Sequence, residues 1–432
     1  MTAKDYFKGK RIALIGLGSY GEEVEDAKFM IRAGAILSIY DLRSEARLKS
    51  HLVFLRSVGL ANYVCGSIPA EDLPDMDLII LSREYSRSSS FLEKATEKGV
   101  MIEYPETLFF KLAPPITVVG VMGACGKTTV ISMLAPMLSE SCGGLYISDG
   151  ASGGLLLFLK KIRNGDILIM RIDSVIAAEL KGLNISPQVA VLTGVPPKGV
   201  YSDSPFDVLA NQTYNNFIVA SDEVIDATRV YGFKPRAKML RTKTSVIPES
   251  WLFNGRTHDR ENAALALQTA KLFKVSEDTA QKVLEVWKPL KGRVELVKKV
   301  KMVEFYNDAA SAVPEATMAG IISLAQNRNI VLILGGAHSG HDYRALNALI
   351  PQYAHTVVLL PGSGTILERK ELERLDNVDV LSAPSVEEAV RLAQDHARSG
   401  DRVLFSPGFD AAGIDSSCKE RGERFVRAVR AL

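Results

Sequence analysis

A glycine-spaced loop between an apolar strand and an apolar helix restricts the fold of this sequence more than any other feature. The run 117–122 is β-branched and apolar, glycines recur at 120, 123 and 126, and Lys127-Thr128-Thr129 ends the loop before the helix-like segment 130–134. Backbone N–H groups of such a loop converge on phosphate oxygens, and the helix N-terminus adds a positive dipole. Lys127 is expected to reach the terminal phosphates, and the Thr128 hydroxyl to ligate Mg²⁺. The alternative is a glycine-rich turn with an incidental lysine, because Val121 stands where the usual spacing has a glycine.

A second glycine-rich turn lies near the N-terminus. The strand 11–15 leads into Gly16-Leu17-Gly18-Ser19-Tyr20-Gly21, a charged amphipathic helix follows, and a second strand ends at Asp41-Leu42-Arg43. A Gly-x-Gly-x-x-Gly turn with an acidic residue about 20 positions later is typical of nucleotide-binding βαβ units. We predict a pyrophosphate-sized pocket at this turn, framed by Gly18, Ser19, Tyr20, Asp41 and Arg43. The alternative is a tight strand-to-helix turn without a ligand.

The chain has 432 residues, which is enough for two to four domains of roughly 100–200 residues each. Apolar strands alternate with helical stretches along its whole length, which predicts α/β domains built on parallel sheets. The prolines of Ala113-Pro114-Pro115 mark one linker, and a third segment begins near Gly292. We therefore predict three domains, over residues 1–113, 114–291 and 292–432.

Composition argues against several classes of protein. The 52 basic residues nearly balance the 50 acidic ones, so the net charge of +2 gives no electrostatic case for nucleic acid or an anionic membrane. The four cysteines are scattered, which argues against a disulfide framework and a zinc site. No apolar stretch approaches the roughly 18–20 residues that span a bilayer. We expect a cytoplasmic monomer that does not insert into membranes.

Over essentially its full length the chain resembles the Mur ligases, and within them the MurD type. The order and spacing of seven motifs carry the resemblance: Gly16-Leu17-Gly18 with Asp41-Leu42-Arg43, the loop 120–129, Arg260-Glu261-Asn262-Ala263-Ala264, Gly292-Arg293-Val294-Glu295, Tyr306-Asn307-Asp308, Leu334-Gly335-Gly336 with Asp342-Tyr343, and Leu404-Phe405-Ser406-Pro407-Gly408 with Arg421-Gly422-Glu423-Arg424-Phe425. The resemblance implies a Rossmann-like N-terminal domain for a UDP-sugar, a central P-loop ATPase domain and a Rossmann-like C-terminal domain for an amino acid.

The activity that the resemblance implies is ATP-dependent amide ligation in peptidoglycan precursor synthesis. A carboxylate of UDP-N-acetylmuramoyl-L-alanine would attack the γ-phosphate of ATP, and the acyl phosphate would be attacked by an amino acid, D-glutamate in the family. Matching positions place Asn262, Arg293 and Asp308 around ATP, with Asp308 on the ribose side, and Mg²⁺ at Thr128. Each has a plainer interpretation: an exposed helix residue, a solvated charge and a turn former, respectively.

Several positions depart from the family pattern. Arg171 stands where the family has a magnesium-binding carboxylate, and Asp173 is the acid that could compensate and take a catalytic role beside Lys127. Gly194, Lys198 and Gly199 replace an asparagine and an Asp-His pair. An ungapped comparison puts Asn211 at the family's carbamylated lysine.

The third segment departs in the same way, because Ala310, Ser339, Ala411 and Cys418 stand where the family contacts the acyl phosphate and D-glutamate. Three hypotheses remain open. The first is an active ligase with a rebuilt site, and the second is a catalytically impaired nucleotide-binding paralogue with a regulatory or structural role. The third is a dinucleotide-dependent oxidoreductase, which leaves the second loop unexplained.

Overall fold

Three successive β-sheets, each formed by a separate stretch of chain, make up the computed structural model. It describes residues 3–18, 21–83, 85–123, 126–140, 142–150, 153–194, 206–230, 232–251, 253, 257–338, 342–411 and 417–432. Helices follow most strands in each stretch. The prediction of a three-part α/β architecture is confirmed.

The first sheet has five parallel strands in the order β3-β2-β1-β4-β5. Since the strand order reverses between β1 and β4, the loops after these two strands border a crevice at the carboxyl edge. Strand β3 was not predicted, because its residues are only half-buried at the sheet edge. The elements are α1 Ala3–Phe7, β1 Arg11–Ile15, α2 Glu22–Arg32, β2 Ile36–Asp41, α3 Glu45–Ser57, β3 Asn62–Cys65, β4 Leu78–Leu81, α4 Glu93–Glu97, β5 Met101–Glu103 and α5 Pro105–Leu112.

The second sheet has six parallel strands in the order β11-β10-β9-β6-β8-β7. Strand β6, which precedes the phosphate-type loop, lies at its centre. The helical stretch predicted around 259–288 is divided into α9 and α10. The elements are β6 Thr117–Met122, α6 Lys127–Ser139, β7 Leu145–Ser148, β8 Ile167–Arg171, α7 Ser174–Gly182, β9 Val189–Leu192, β10 Phe217–Ser221, α8 Asp222–Val230, β11 Lys238–Thr242, α9 Thr257–Leu272 and α10 Glu277–Val286.

The third sheet has the order β12-β13-β17-β14-β15-β16. The expectation of parallel strands throughout is wrong for β12, which pairs antiparallel with β13. Only Lys301 and Met302, both with positive φ, connect these strands, and a two-residue connection permits only a hairpin. The elements are β12 Glu295–Val300, β13 Val303–Asn307, α11 Pro314–Leu324, β14 Ile330–Leu334, α12 Arg344–Tyr353, β15 Ala354–Leu359, α13 Ser363–Glu373, β16 Asp379–Ser382, α14 Val386–His396, β17 Arg402–Phe405 and α15 Cys418–Arg430.

The first two sheets share a hydrophobic core. One connected cluster of buried residues runs from Ile12 and Leu14 in β1 to Met122 in β6 and Leu168 in β8. The opposite face of the second sheet is covered by α6 and α9, whose apolar residues form a separate cluster. Burial of this apolar surface holds the first sheet against the second and fixes the crevice between their carboxyl edges.

The helices are short compared with a bilayer span. The longest in the described segments, α9, has 16 residues, and none of them combines the length and apolar character needed to cross a membrane.

Candidate functional site

The phosphate-type loop has the strand–loop–helix geometry that its sequence predicted. Gly123 and Gly126 have φ values of 133° and 81°, which L-residues with side chains rarely adopt. Lys127 is the first residue of α6, and its Nζ donates a hydrogen bond to the carbonyl oxygen of Gly123. The ammonium group is therefore held over the loop, where a phosphate would bind.

Neighbouring segments enclose this loop closely. A Cβ atom on Gly123 would lie 2.6 Å from Oγ1 of Thr193, and one on Gly126 would lie 2.4 Å from Oδ1 of Asn262. Val121, at the position where the usual spacing has a glycine, is fully buried in β6 instead. The two loop glycines are thus required by close approach as well as by backbone conformation.

A cavity of about 460 Å³ opens beside the loop, between the second and third sheets. Five predicted nucleotide ligands border it or its loop: Gly126, Thr129, Asn262, Arg293 and Asp308. Asn262 is buried on α9, so its interpretation as an exposed helix residue is wrong. Sequence analysis missed other lining residues, among them Thr193, Ser221, Thr242, Lys243, Trp287 and Leu290.

Arg293 connects the third segment to the phosphate-type loop. It lies between α10 and β12, and its NH2 donates to Oγ1 of Thr128 at 3.2 Å. Lys127 and Arg293 therefore place two positive charges at the phosphate-type loop. This arrangement suits the terminal phosphates of a nucleotide.

Asp308 is buried in the wall of the cavity. Its carboxylate accepts hydrogen bonds from the Val294 amide at 3.1 Å and from the Ser311 and Ser406 hydroxyls at 2.7 Å each. Burial raises the pKa of Asp308 to about 6, against the opposing effect of the two hydroxyls and of Arg293. Asp308 thus fixes the backbone that follows Arg293, which is a larger role than forming a surface turn.

At the first glycine turn, Asp41 and Arg43 form a closed unit. The Asp41 carboxylate accepts from the Leu17 amide at 3.1 Å and from the Arg43 guanidinium at 2.6 Å, while Arg43 NH1 donates to the Gly18 carbonyl at 2.9 Å. Burial alone would raise the pKa of Asp41, but the hydrogen bonds and charge of Arg43 lower it. Ser19 and Tyr20, the other predicted ligands, lie outside the described residues.

A second cavity, of about 210 Å³, lies between the first and second sheets. Gly18 and Ser82 line it from the first sheet, and Ser148 and Gly150 line it from the second. Its ionisable lining residues are Glu23, Asp26, Arg83, Glu106, Arg171 and Asp173. Of these, sequence analysis had singled out only Arg171 and Asp173.

Arg83 bridges two carboxylates in this second cavity. Its Nε donates to Glu106 at 2.7 Å, and its NH1 donates to Asp173 at 3.3 Å. Burial would lower the pKa of Arg83, but Glu106 and Asp173 more than offset this and raise it. Its place after β4, at the carboxyl edge of a parallel sheet, was the sequence signal that could have revealed it.

Asp173 has a structural role in this geometry. It caps α7 by accepting from the Ile176 amide at 3.1 Å, and its other oxygen accepts from Arg83. Asp173 was expected to supply a metal-binding carboxylate that compensates for Arg171. In the structure this carboxylate is bound to Arg83 instead. The described residues contain no group of three or more histidine, cysteine, aspartate or glutamate side chains able to hold a metal.

Asn211 does not belong to the site. Its amide donates to Oγ of Ser186 at 3.2 Å, and Ser186 precedes β9 at the amino end of that strand. The phosphate-type loop follows the carboxyl end of β6, which runs parallel to β9, so Asn211 lies at the opposite edge of the sheet. The ungapped placement of the family lysine at Asn211 is therefore wrong.

The other residues that depart from the family pattern have uncharged side chains where the structure describes them. Gly194 lies against Gly123, Ala310 donates its amide to the Gly292 carbonyl at 3.1 Å, and Ala411 is buried. The Cys418 sulfur lies 3.9 Å from a nitrogen of Arg421. Lys198, Gly199 and Ser339 lie outside the described residues.

Comparison with known proteins finds relatives of this chain. Residues 292–409 match the family described as Mur ligase, glutamate ligase domain. The UDP-N-acetylmuramoylalanine–D-glutamate ligase of Acetivibrio thermocellus is 25% identical over 99% of this chain and 98% of the relative. The ligase of the same name from Desulfosudis oleivorans is 27% identical over 98% of this chain and 97% of the relative. The chain is thus similar to Mur ligases over almost its whole length, and residues 292–409 match one domain of that family.

Solved structures share the fold of this chain over almost its whole length. The murein peptide ligase of Psychrobacter arcticus has a TM-score of 0.64 at 15% identity and covers 98% of this chain and 99% of its own. MurF of Thermotoga maritima, solved with ADP, has a TM-score of 0.55 at 17% identity, covering 100% of this chain and 97% of its own. The interpretation as a dinucleotide-dependent oxidoreductase is not supported.

Proposed function

We propose that this protein is an ATP-dependent ligase that adds D-glutamate to UDP-N-acetylmuramoyl-L-alanine in peptidoglycan precursor synthesis. The full-length relatives named for this reaction support the proposal. Nothing in the comparisons favours the alternative of a catalytically impaired paralogue.

The position of the two cavities carries the proposal. The larger cavity borders the ends of β9 and β10, and the smaller one borders the ends of β7 and β8. Strand β6 and its phosphate-type loop lie between them in the sheet. A nucleotide in the larger cavity and an acid in the smaller one would therefore meet at the loop, as phosphoryl transfer requires.

The chain's own residues suit the first step. Lys127 and Arg293 would bind the terminal phosphates, while Asn262 and Asp308 would form the wall beside the rest of the nucleotide. The substrate carboxylate forms a bond to the γ-phosphorus as the bridging P–O bond breaks, and ADP leaves with the electron pair. The amine of the amino acid then attacks the acyl carbon and releases phosphate.

Magnesium fits one position and not the other. Thr128 offers a hydroxyl at the start of α6, where Mg²⁺ held jointly with nucleotide phosphates would neutralise their charge. Arg171 stands where a carboxylate ligand for Mg²⁺ was expected, and its charge would repel a cation. We therefore propose no step through a metal at Arg171.

The first experiment is an assay of ADP release with MgATP, UDP-N-acetylmuramoyl-L-alanine and a panel of D- and L-amino acids, with product masses determined. We expect ADP and an amide product that depend on D-glutamate, and neither when D-glutamate is omitted. A second control is Lys127→Ala, which should abolish release. Failure of every amino acid in the panel to elicit ADP release would refute the proposed activity.

A further inference from the structure

Arg171 is the arginine of the second cavity that lacks an ion-pair partner among the described residues. Its Nε is buried and has no hydrogen-bond partner there, whereas Arg83 is bound to Glu106 and Asp173. A buried guanidinium nitrogen without a hydrogen-bond partner is costly, because its desolvation is not repaid. An anion from outside the described part of the chain would balance the charge of Arg171 and bind its guanidinium.

The acidic groups around Arg171 are largely committed elsewhere. Arg83 pairs with Glu106 and Asp173. The Asp26 carboxylate accepts hydrogen bonds from the Leu156 amide at 2.7 Å and the Leu157 amide at 3.3 Å, and burial raises its pKa to about 8. Asp26 is therefore largely protonated at neutral pH.

Both arginines line the second cavity, of about 210 Å³, and lie close to the same glycine of its wall. A Cβ atom on Gly150 would lie 3.5 Å from NH1 of Arg83 and 3.6 Å from NH1 of Arg171. Oε2 of Glu106 is buried and has no partner among the described residues. The cavity thus offers a guanidinium donor and a carboxylate acceptor, which matches a peptide-like acid with both a carboxylate and an N–H group.

Arg171 lies at the end of the strand next to the one that precedes the phosphate-type loop. Arg171 ends β8 and is paired in register with Val121 of β6, two residues before Gly123. Adjacent strands lie only about 4.8 Å apart. A carboxylate bound to Arg171 would therefore lie beside the phosphate-type loop.

We propose that Arg171 binds the carboxylate of the acyl substrate in the second cavity. The family pattern has a magnesium-binding carboxylate at this position of the sequence. This inference rests on the proposed function and names the group that recognises its substrate. Arg171 takes the carboxylate directly, and Glu106 accepts from the adjoining amide N–H. The residue that departs from the family pattern is thus a substrate-binding residue of this chain.

The test is calorimetric titration in EDTA with two ligands, UDP-N-acetylmuramoyl-L-alanine and its neutral carboxamide, UDP-N-acetylmuramoyl-L-alaninamide. We expect the wild type to prefer the acid at least tenfold. Arg171→Gln should lose that preference by weakening only the acid, and Arg171→Lys should retain part of it. Arg163→Gln, which removes an exposed arginine in the loop before β8, should bind both ligands like the wild type.

Three outcomes would overturn the inference. They are Arg171→Gln with an undiminished preference for the acid, equal weakening of both ligands, and a wild-type preference that appears only when Mg²⁺ replaces EDTA. If the wild type bound neither ligand, the proposed function would fail and this inference with it. Arg171→Lys keeps the test decisive if Arg171→Gln does not fold.

Discussion

The NH1 group of Arg83 lies 3.3 Å from the carboxylate of Asp173, and this contact joins the first sheet to the second. A second bridge nearby joins Arg87 to Glu179 at 2.9 Å. The first of these pairs lines the smaller cavity, whose walls come from both sheets. The proposed substrate site therefore depends on how the two units are held together.

Loss of Arg83 should destabilise this junction. Arg83→Met leaves the buried Glu106 carboxylate without its partner, and breaking a buried pair costs about 3–5 kcal/mol. We expect a clearly lower urea midpoint, measured by tryptophan fluorescence. Arg344→Met removes an equally charged side chain that is 91% exposed, and it should change the midpoint little. Equal midpoints for the two variants would contradict this account.

Asp26 should make stability depend on pH. Its pKa is about 8 in the folded protein, mainly because of burial, against about 3.9 when unfolded. The folded state therefore retains a proton that the unfolded state releases, and stability from this group is lost as pH rises from about 4 through 8.

Asp26→Asn keeps an oxygen for the Leu156 amide and removes the titration. The free energy of unfolding of Asp26→Asn relative to wild type, measured by urea unfolding, should rise between pH 5 and 9, because the wild type loses about 1.4 kcal/mol per pH unit below its folded pKa. Asp342→Asn, an exposed acid whose pKa is lowered to about 2 by Arg344, should show no such trend over this range. A flat difference for Asp26→Asn would show that the carboxyl is ionised throughout.

Lys127 should dominate binding of the nucleotide's terminal phosphates. Lys127→Ala removes a charge-assisted contact to phosphate, and we expect ATP binding to weaken by about 2 kcal/mol or more. Calorimetry with ATP measures the loss. Lys271→Ala changes a lysine of the same unit that pairs with Glu277, and it should bind ATP normally. Equal affinities for the two variants would exclude the loop as the phosphate site.

The close approach of Gly126 to Asn262 is testable with two glycines of similar backbone. Gly126→Ala adds a Cβ 2.4 Å from Oδ1 of Asn262, whereas Gly165→Ala meets nothing within 4 Å at a φ of 87°. Both pay about 1–2 kcal/mol for a left-handed backbone, so any further loss of stability or ATP affinity in Gly126→Ala reports the clash. Asn262→Gly should relieve that extra loss, and failure to do so would show that the two residues are not in contact.

Local sequence determined the features that depend on neighbouring residues. The glycine loop before Lys127 and the apolar strands such as Ile330–Leu334 are fixed by backbone conformation and burial within a few residues. These features also predict where the nucleotide cavity lies, because parallel strands bring their carboxyl ends to one edge. The antiparallel β12 escaped prediction because two non-glycine residues with positive φ form its turn.

Only the tertiary structure decided which charges are paired. Arg83 and Asp173 are 90 residues apart in the chain, and Arg293 and Thr128 are 165 apart, so no local pattern could link them. Asn211 was misplaced for the same reason, since an ungapped comparison does not register which end of β9 the chain has reached. The charge of Arg171 and its place at the end of a strand are determined by the local sequence. Its role depends on the packing of two sheets, because that packing buries its Nε and pairs Asp173 with Arg83.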